Sequence, residues 1–159
     1  MTGDNYGIYY MPISAYRHIG VKGIMNNYTE IFKALSDETR LRIMRLLTIT
    51  DRQICVCEFV DALELPQYQV SKHLNILKNA NLVEGERRGT WVYYSPLKES
   101  SSFNNQLFQL LKEQLSDSVF LLDAERLRQR MKLRDGDTCV VGFANRQKVE
   151  CSGISYNKV

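Results

Sequence analysis

Residues 54–80 read ICVCEFVDALELPQYQVSKHLNILKNA, and this stretch decides the fold. It predicts a short helix over residues 54–63, which ends before Leu65-Pro66 because proline disfavours helical geometry in the residue before it. A second helix follows at once, and its apolar positions repeat at intervals of four and three, at Val70, Leu74 and Leu77. Two short helices with a tight break between them, the second polar and basic on its exposed side, predict a helix-turn-helix.

The stretch that follows predicts a β-hairpin with a basic tip. Two β-prone runs, residues 82–84 and 91–95, are joined by residues 85–90, which read GERRGT. A helix-turn-helix followed directly by a basic hairpin predicts a winged helix-turn-helix, a mainly α-helical fold with a small β-hairpin wing. The alternative is a solvated helix beside an ordinary surface turn, but the joint pattern favours DNA binding.

The charge distribution agrees with this interpretation. The chain of 159 residues has a net charge of +3, and residues 66–98 alone carry five basic and two acidic side chains. The second helix of the motif offers groups that bind base edges or phosphates in the major groove, and Arg87 and Arg88 would contact the DNA backbone or an adjacent minor groove. The candidates on the helix are Gln67, Gln69, Ser71, Lys72 and His73.

Two helices are predicted before the motif. The first covers residues 28–35, and Ser36 is expected to cap the second, which runs to about Leu47 and turns its arginines mostly outward. Those arginines are Arg40, Arg42 and Arg45. Residues 1–26 contain four glycines and no helical or strand periodicity, which predicts a flexible arm.

The longest helical pattern follows the hairpin. It covers residues 103–133 and carries an apolar stripe, which we expect to form a helical dimer interface, because a DNA-binding protein with one recognition helix commonly acts as a two-fold dimer. The stripe consists of Phe103, Leu107, Leu110, Leu111, Leu115, Val119 and Leu122. The sequence therefore predicts one winged helix-turn-helix domain over residues 27–133 and a tail over residues 134–159.

Several protein classes are excluded by composition and motifs. No apolar run is long enough to cross a bilayer, so we expect a cytoplasmic protein without membrane contact. Four cysteines in a chain of this length are too few for a disulfide scaffold. The sequence also lacks a phosphate-binding loop, a Cys-x-x-Cys motif and a catalytic cysteine paired with histidine, so an enzyme is not expected.

Three motifs closely resemble the ArsR/SmtB family of winged helix-turn-helix repressors. They are LSDETRLRI at residues 35–43, VSKHL at residues 70–74 and GTWVYY at residues 89–94. The resemblance spans residues 28–122 and implies a homodimeric transcriptional repressor that leaves its double-stranded operator DNA when an inducer binds. Nothing is implied for the two ends of the chain.

Cys55 and Cys57 form a thiol pair at the start of the helix that precedes the recognition helix. Thiolates prefer soft ions over hard ones such as magnesium. Positions i and i+2 of a regular helix point about 200° apart, so the two sulfurs are expected to reach one ion only if the first turn unwinds. Such unwinding would give a switch that acts on the recognition helix.

The sequence ICVCEF at residues 54–59 also resembles the inducer motif of family members that respond to arsenite and antimonite, or to cadmium and lead. Where arsenite sensors of this type have a third cysteine, this chain has Val60, so a third thiolate would come from Cys139 or Cys151, of the same or the other subunit. Family sensors of cadmium and lead draw thiols from an N-terminal arm that here has none, which favours arsenite or antimonite.

Two alternatives remain at this point. The thiol pair could be a redox switch released by oxidation, or the protein could bind DNA without a ligand. Zinc or nickel sensing through the last helix is not expected, because residues 103–133 contain no histidine.

Overall fold

The computed structural model describes the backbone of residues 21–97, 102–140 and 142, and side chains from Tyr28 onward. The elements follow in the order α1 Val21–Leu35, α2 Glu38–Ile49, β1 Ile54–Cys55, α3 Val56–Leu63, α4 Gln67–Asn79, β2 Val83–Arg88, β3 Trp91–Pro96, α5 Ser102–Gln114 and α6 Ser118–Met131. The predicted winged helix-turn-helix is confirmed. Among the described helices, none combines the length and the hydropathy needed to span a membrane.

The helix-turn-helix is formed by α3 and α4 around a shared apolar core. The helical spacing in α4 buries one face completely, at Val70, Leu74 and Leu77. Between the two helices, Glu64 takes the left-handed conformation with φ of 55°, and Pro66 then begins α4. The predicted break is therefore present, and α4 lies against α3 and α2.

The first two helices differ from the prediction in three respects. Helix α1 already begins at Val21, within the predicted arm, while residues 1–20 lie outside the described part of the chain. The cap of α2 is Asp37 instead of Ser36, since its carboxylate accepts a bond of 3.0 Å from the backbone N–H of Arg40. The three arginines of α2 do not point outward as predicted. Arg40 donates to the last carbonyls of α1, and Arg42 and Arg45 reach the C-terminal helices.

The wing is part of a three-stranded antiparallel sheet with the order β1-β3-β2. The predicted loop over residues 85–90 is wrong, because β2 continues through Arg88 and the turn consists only of Gly89 and Thr90. Gly89 has φ of +60°, which glycine adopts without a steric cost. Arg87 and Arg88 therefore lie on a strand, where the sheet holds their positions.

The predicted helix over residues 103–133 is two helices. Helix α5 ends at Gln114, and Asp117 lies at the N-cap position of α6. Arg45 donates a bond of 2.6 Å to the carbonyl oxygen of Leu115, which stabilises the end of α5. Of the predicted apolar stripe, Leu107 and Leu111 are buried, while Leu110 and Leu122 are exposed.

Helix α6 packs along α3 and α2, where paired charges join it to the core. Arg42 of α2 forms two bonds with the carboxylate of Asp123, which is 1% exposed. Arg130 bonds to Asp61 of α3 at 2.6 Å. Arg130 thus holds the last turn of α6 against α3, and the chain that follows α6 continues toward the start of α3, where Arg134 meets Glu58.

Residues 134–140 are the first part of the predicted tail over residues 134–159, and they pack on the domain, whereas residues 141 and 143–159 lie outside the described part of the chain. Asp135 and Thr138 form a short bridge around Gly136, and the chain then passes over the sheet. Cys139 is fully buried in a small cluster with Cys55, Cys57 and Tyr93, and Trp91 packs against this cluster. The C-terminal segment, defined here as residues 134–140, is thus part of the folded domain.

Candidate metal centre and nucleic-acid interface

Three cysteine sulfurs meet where α3 begins. Cys55 ends β1 and precedes α3, Cys57 lies in the first turn of α3, and Cys139 comes from the C-terminal segment. Their Sγ atoms all lie within 4.8 Å of one another, and those of Cys57 and Cys139 are 3.2 Å apart. We call these three residues the thiol cluster; all of them are buried.

The geometry of the thiol cluster corrects the predicted need for an unwound helix. Cys55 lies outside α3 in an extended conformation, with φ of −83° and ψ of 160°, and its backbone pairs with Tyr93 of β3. Its side chain therefore does not follow the helical rotation that would separate positions i and i+2. The two sulfurs approach each other while α3 remains regular, so the site is already assembled.

A buried ion pair fixes the surroundings of the thiol cluster. Glu58 accepts a bond of 2.8 Å from the backbone N–H of Cys55 and two bonds of 2.6 Å from the guanidinium of Arg134. Arg134 also donates to the carbonyl oxygen of Gln53. The side chains of Arg134 and Glu58 are 2% and 0% exposed. Because both oxygens of Glu58 are engaged, this carboxylate supports the site and is not a free ligand.

The pKa values of the three thiols shift in opposite directions. Hydrogen bonds from Cys55 and Cys57, and the nearby charge of Arg130, lower the pKa of the Cys139 thiol. The same bonds to Cys139, together with burial, raise the pKa of Cys55 and of Cys57. Arg130 donates to the Cys139 sulfur at 3.6 Å. The hydrogen bonds within the cluster and the guanidinium of Arg130 therefore favour the thiolate form at Cys139 over that at Cys55 and Cys57.

The sequence offered two candidates for a third ligand, Cys139 and Cys151. Cys139 lies beside Cys55 and Cys57 of the same chain. Cys151 lies outside the described residues. The supporting residues Tyr93, Arg130 and Arg134 were not identified from the sequence. Asp135-Gly136 is a turn dipeptide, and it could have indicated that the chain reverses before Cys139.

Comparisons with known proteins agree with this architecture. Residues 37–85 match the family model described as bacterial regulatory protein, arsR family. The arsenic resistance transcriptional regulator ArsR2 of Pseudomonas putida is 36% identical over 107 residues, which cover 67% of this chain and 88% of that protein. The chain belongs to the ArsR family. The relatives are named as transcriptional regulators, so this ArsR-family protein is a DNA-binding regulator and not an enzyme, as predicted.

Other members are similar over shorter segments. The uncharacterized HTH-type transcriptional regulator MJ1325 of Methanocaldococcus jannaschii is 49% identical over 65 residues, which cover 41% of this chain and 72% of that protein. The solved structure of reduced HlyU from Vibrio cholerae has a TM-score of 0.50 and 28% identity, and the match covers 59% of this chain and 94% of that one. Further relatives have names that refer to arsenical or to cadmium resistance.

The predicted DNA-binding residues of this ArsR-family protein lie on two elements. Of those on α4, Gln67 and Lys72 are exposed and Gln69 and Ser71 are half-buried. His73 is 16% exposed, and its Nδ1 lies 3.5 Å from the carboxylate of Asp37, so it is directed toward the start of α2. Tyr68, 70% exposed at the start of α4, is a further candidate that the apolar pattern did not single out.

On the wing, the side chain of Arg88 contacts Glu86 of the same strand and Tyr93 of the neighbouring strand β3. It forms a bidentate pair with Glu86 at 2.7 and 2.9 Å, and its guanidinium carbon lies 5.4 Å from the ring centroid of Tyr93. Arg87 donates to the carbonyl oxygen of Gly89 in the turn. Both arginines lie on the end of β2 beside the turn, which suits contacts with the DNA backbone.

We expect Lys72→Ala to weaken DNA binding to a similar extent for all sequences. Removing one phosphate contact should also lower the slope of log K against log salt concentration by about 1. The measurement is fluorescence anisotropy over a series of salt concentrations. Lys78→Ala is the matched control, because Lys78 is exposed in the last turn of the same helix and points in another direction. An equal loss in both variants would contradict a specific role for Lys72.

Proposed function

We propose that this protein is a homodimeric, cytoplasmic transcriptional repressor that leaves its operator when trivalent arsenic or antimony binds Cys55, Cys57 and Cys139. The observation that carries the proposal is the thiol cluster, three buried sulfurs within 4.8 Å of one another. Two of the three belong to β1 and α3, so an ion held there acts directly on the first helix of the helix-turn-helix.

The number and type of donors support a trivalent metalloid. Arsenic(III) and antimony(III) form three bonds to sulfur and keep a lone pair, whereas structural zinc sites are almost always four-coordinate. Within the described residues, the group contains three cysteines and no histidine or carboxylate. Soft thiolate donors also disfavour hard cations. Cadmium and lead, which share the preference for thiolates, remain the alternative inducers.

One observation favours a second candidate. The Sγ atoms of Cys57 and Cys139 are 3.2 Å apart, so a small movement would bring them to the S–S bond length of about 2.05 Å. A thiol redox switch would use this contact, with release of DNA on oxidation. The two functions differ in their need for Cys55, because a disulfide between Cys57 and Cys139 uses only two sulfurs, whereas a trivalent metalloid binds all three.

The dimer is proposed from exposed apolar side chains on α1 and α5. Phe32 is 58% exposed and Leu110 is 55% exposed, and the ring of Phe103 packs against Tyr28 and Phe32 to join the two helices. A second copy of the chain would cover this surface and place two α4 helices on two half-sites.

The test is an anisotropy titration on a DNA duplex selected for binding from a random-sequence pool. It uses a phosphine reductant in excess, because dithiols would compete for arsenic. We expect arsenite and antimonite to raise the Kd for DNA by a factor within the usual allosteric range of about 5–150. Release by cadmium or lead alone would favour the alternative inducers. Binding that persists with every ion and is lost on mild oxidation would establish the redox switch instead.

A further inference from the structure

Tyr93 connects the thiol cluster to the wing. It lies in β3 and is 2% exposed, and its backbone is paired with Cys55 on one side and with Glu86 of β2 on the other. Its hydroxyl oxygen accepts a bond of 2.8 Å from the backbone N–H of Cys139. Tyr93 therefore contacts two of the three cysteines, one through its backbone and one through its side chain.

The ring of Tyr93 also contacts the guanidinium of Arg88, a predicted DNA contact on the wing. The guanidinium carbon of Arg88 lies 5.4 Å from the ring centroid, and that of Arg134 lies 5.9 Å from it. Cation–π contacts of this kind hold a guanidinium in one position. A shift of the Tyr93 ring would therefore move Arg88, the predicted DNA contact, together with the bonds that Arg88 makes to Glu86.

Ion binding requires the thiol cluster to change shape. Three sulfurs bonded to one arsenic(III) or antimony(III) lie on the same side of it, because its lone pair occupies the other side. Binding replaces the 3.2 Å contact between the sulfurs of Cys57 and Cys139, and the bond from Arg130 to Cys139, with bonds to the ion, and Cys55 must join them. Cys55 is held in a strand and Cys57 in a helix, whereas Cys139 follows a turn outside regular structure. Cys139 is thus the residue most free to move, and its N–H moves with it.

We propose that the hydroxyl of Tyr93 is the positioning group that transmits ion binding to the wing. In the ion-free protein it ties the backbone of Cys139 to β3, with Arg88 held over the ring. When Cys139 shifts to bind the ion, the hydrogen bond moves Tyr93 with it, and Arg88 leaves its DNA-bound position. This inference rests on the proposed function. It assigns to the wing a part of the release from DNA that movement of α3 and α4 alone would not produce.

The test compares Tyr93→Phe with wild type, since this change removes one oxygen and keeps the buried ring. The affinity for DNA without arsenite, and the affinity for arsenite without DNA, are measured first for each variant, the latter through emission of Trp91, the single tryptophan of the chain. The factor by which saturating arsenite raises the Kd for DNA should fall about fivefold, the effect of losing one hydrogen bond. Tyr94→Phe is the matched control, since this ring lies against Gly85 on the other face of the strand.

The possible results separate this inference from the proposed function. A wild-type release factor in Tyr93→Phe would overturn the coupling role while leaving the arsenite sensor intact. A loss of arsenite affinity with an unchanged release factor at saturation would also overturn it, because Tyr93 would then only shape the thiol cluster. Failure of wild type to bind arsenite at all would overturn both. If the release factor fell equally in Tyr94→Phe, the effect would belong to β3 as a whole, and the coupling role of the Tyr93 hydroxyl would be overturned.

Discussion

Replacing Cys139 with serine is expected to weaken arsenite binding by at least about 100-fold, since even the loss of a partner that only supports a metal ligand typically costs 10–100-fold. The serine is of similar size, so the C-terminal segment should still pack and DNA binding without arsenite should persist. The protein would then remain on its DNA at arsenite concentrations that release the wild type. The measurement is the arsenite titration of the DNA complex in excess phosphine reductant.

Cys151→Ser is the matched control for this variant. It removes the other thiol of the C-terminal region, which lies outside the described residues, and should behave as wild type. The opposite pattern, a lost response in Cys151→Ser and a normal one in Cys139→Ser, would show that Cys139 is not the third ligand. Normal responses in both would mean that Cys55 and Cys57 suffice to hold the ion.

Replacing Arg134 with alanine is expected to lower the free energy of unfolding by about 3–5 kcal/mol, because one partner of a buried ion pair is removed and the other is left. The carboxylate left behind is that of Glu58, which is 0% exposed and would keep only its bond from the Cys55 N–H. Urea denaturation at one fixed protein concentration, followed by Trp91 emission, measures the change.

Arg128→Ala provides the comparison for Arg134→Ala. Arg128 also forms a bidentate pair with a glutamate, Glu125, but the two side chains are 60% and 51% exposed. Exposed pairs add little to stability, so this variant should unfold near the wild-type urea concentration. A similar, small change in both variants would mean that water reaches Glu58 when Arg134 is absent, and that the pair does not hold the C-terminal segment.

Local pattern predicted the buried face of α4 and the position of the hairpin correctly, although it placed the cap of α2 at Ser36 and made the turn of the wing too long. The buried face of α4 follows from the spacing of Val70, Leu74 and Leu77, and its start follows from Pro66. Gly89 marks the turn of the wing through its positive φ. Each of these features depends on residues a few positions apart, where backbone sterics and helical periodicity act without help from the rest of the chain.

The larger errors lie where distant residues compete with local pattern. The spacing of apolar residues continued through residues 115–117, but Arg45 binds the carbonyl of Leu115 and Asp117 begins a new helix. The helical pattern predicted that Arg42 faces solvent, but in the fold α6 brings Asp123 beside it. A charged side chain on a helix is directed inward only when a partner is present, and a sequence pattern does not show which distant residue that partner is.

Sequence patterns alone predicted the winged helix-turn-helix, the family resemblance and the thiol pair of Cys55 and Cys57. Only the tertiary structure decided that Cys139, 82 positions after Cys57, joins that pair, and that Tyr93 lies between the cysteines and the wing. The physical reason is that helices and turns arise from interactions between near neighbours, whereas a site built from three separate segments exists only after α6 packs on α3 and brings its C-terminal end to the sheet.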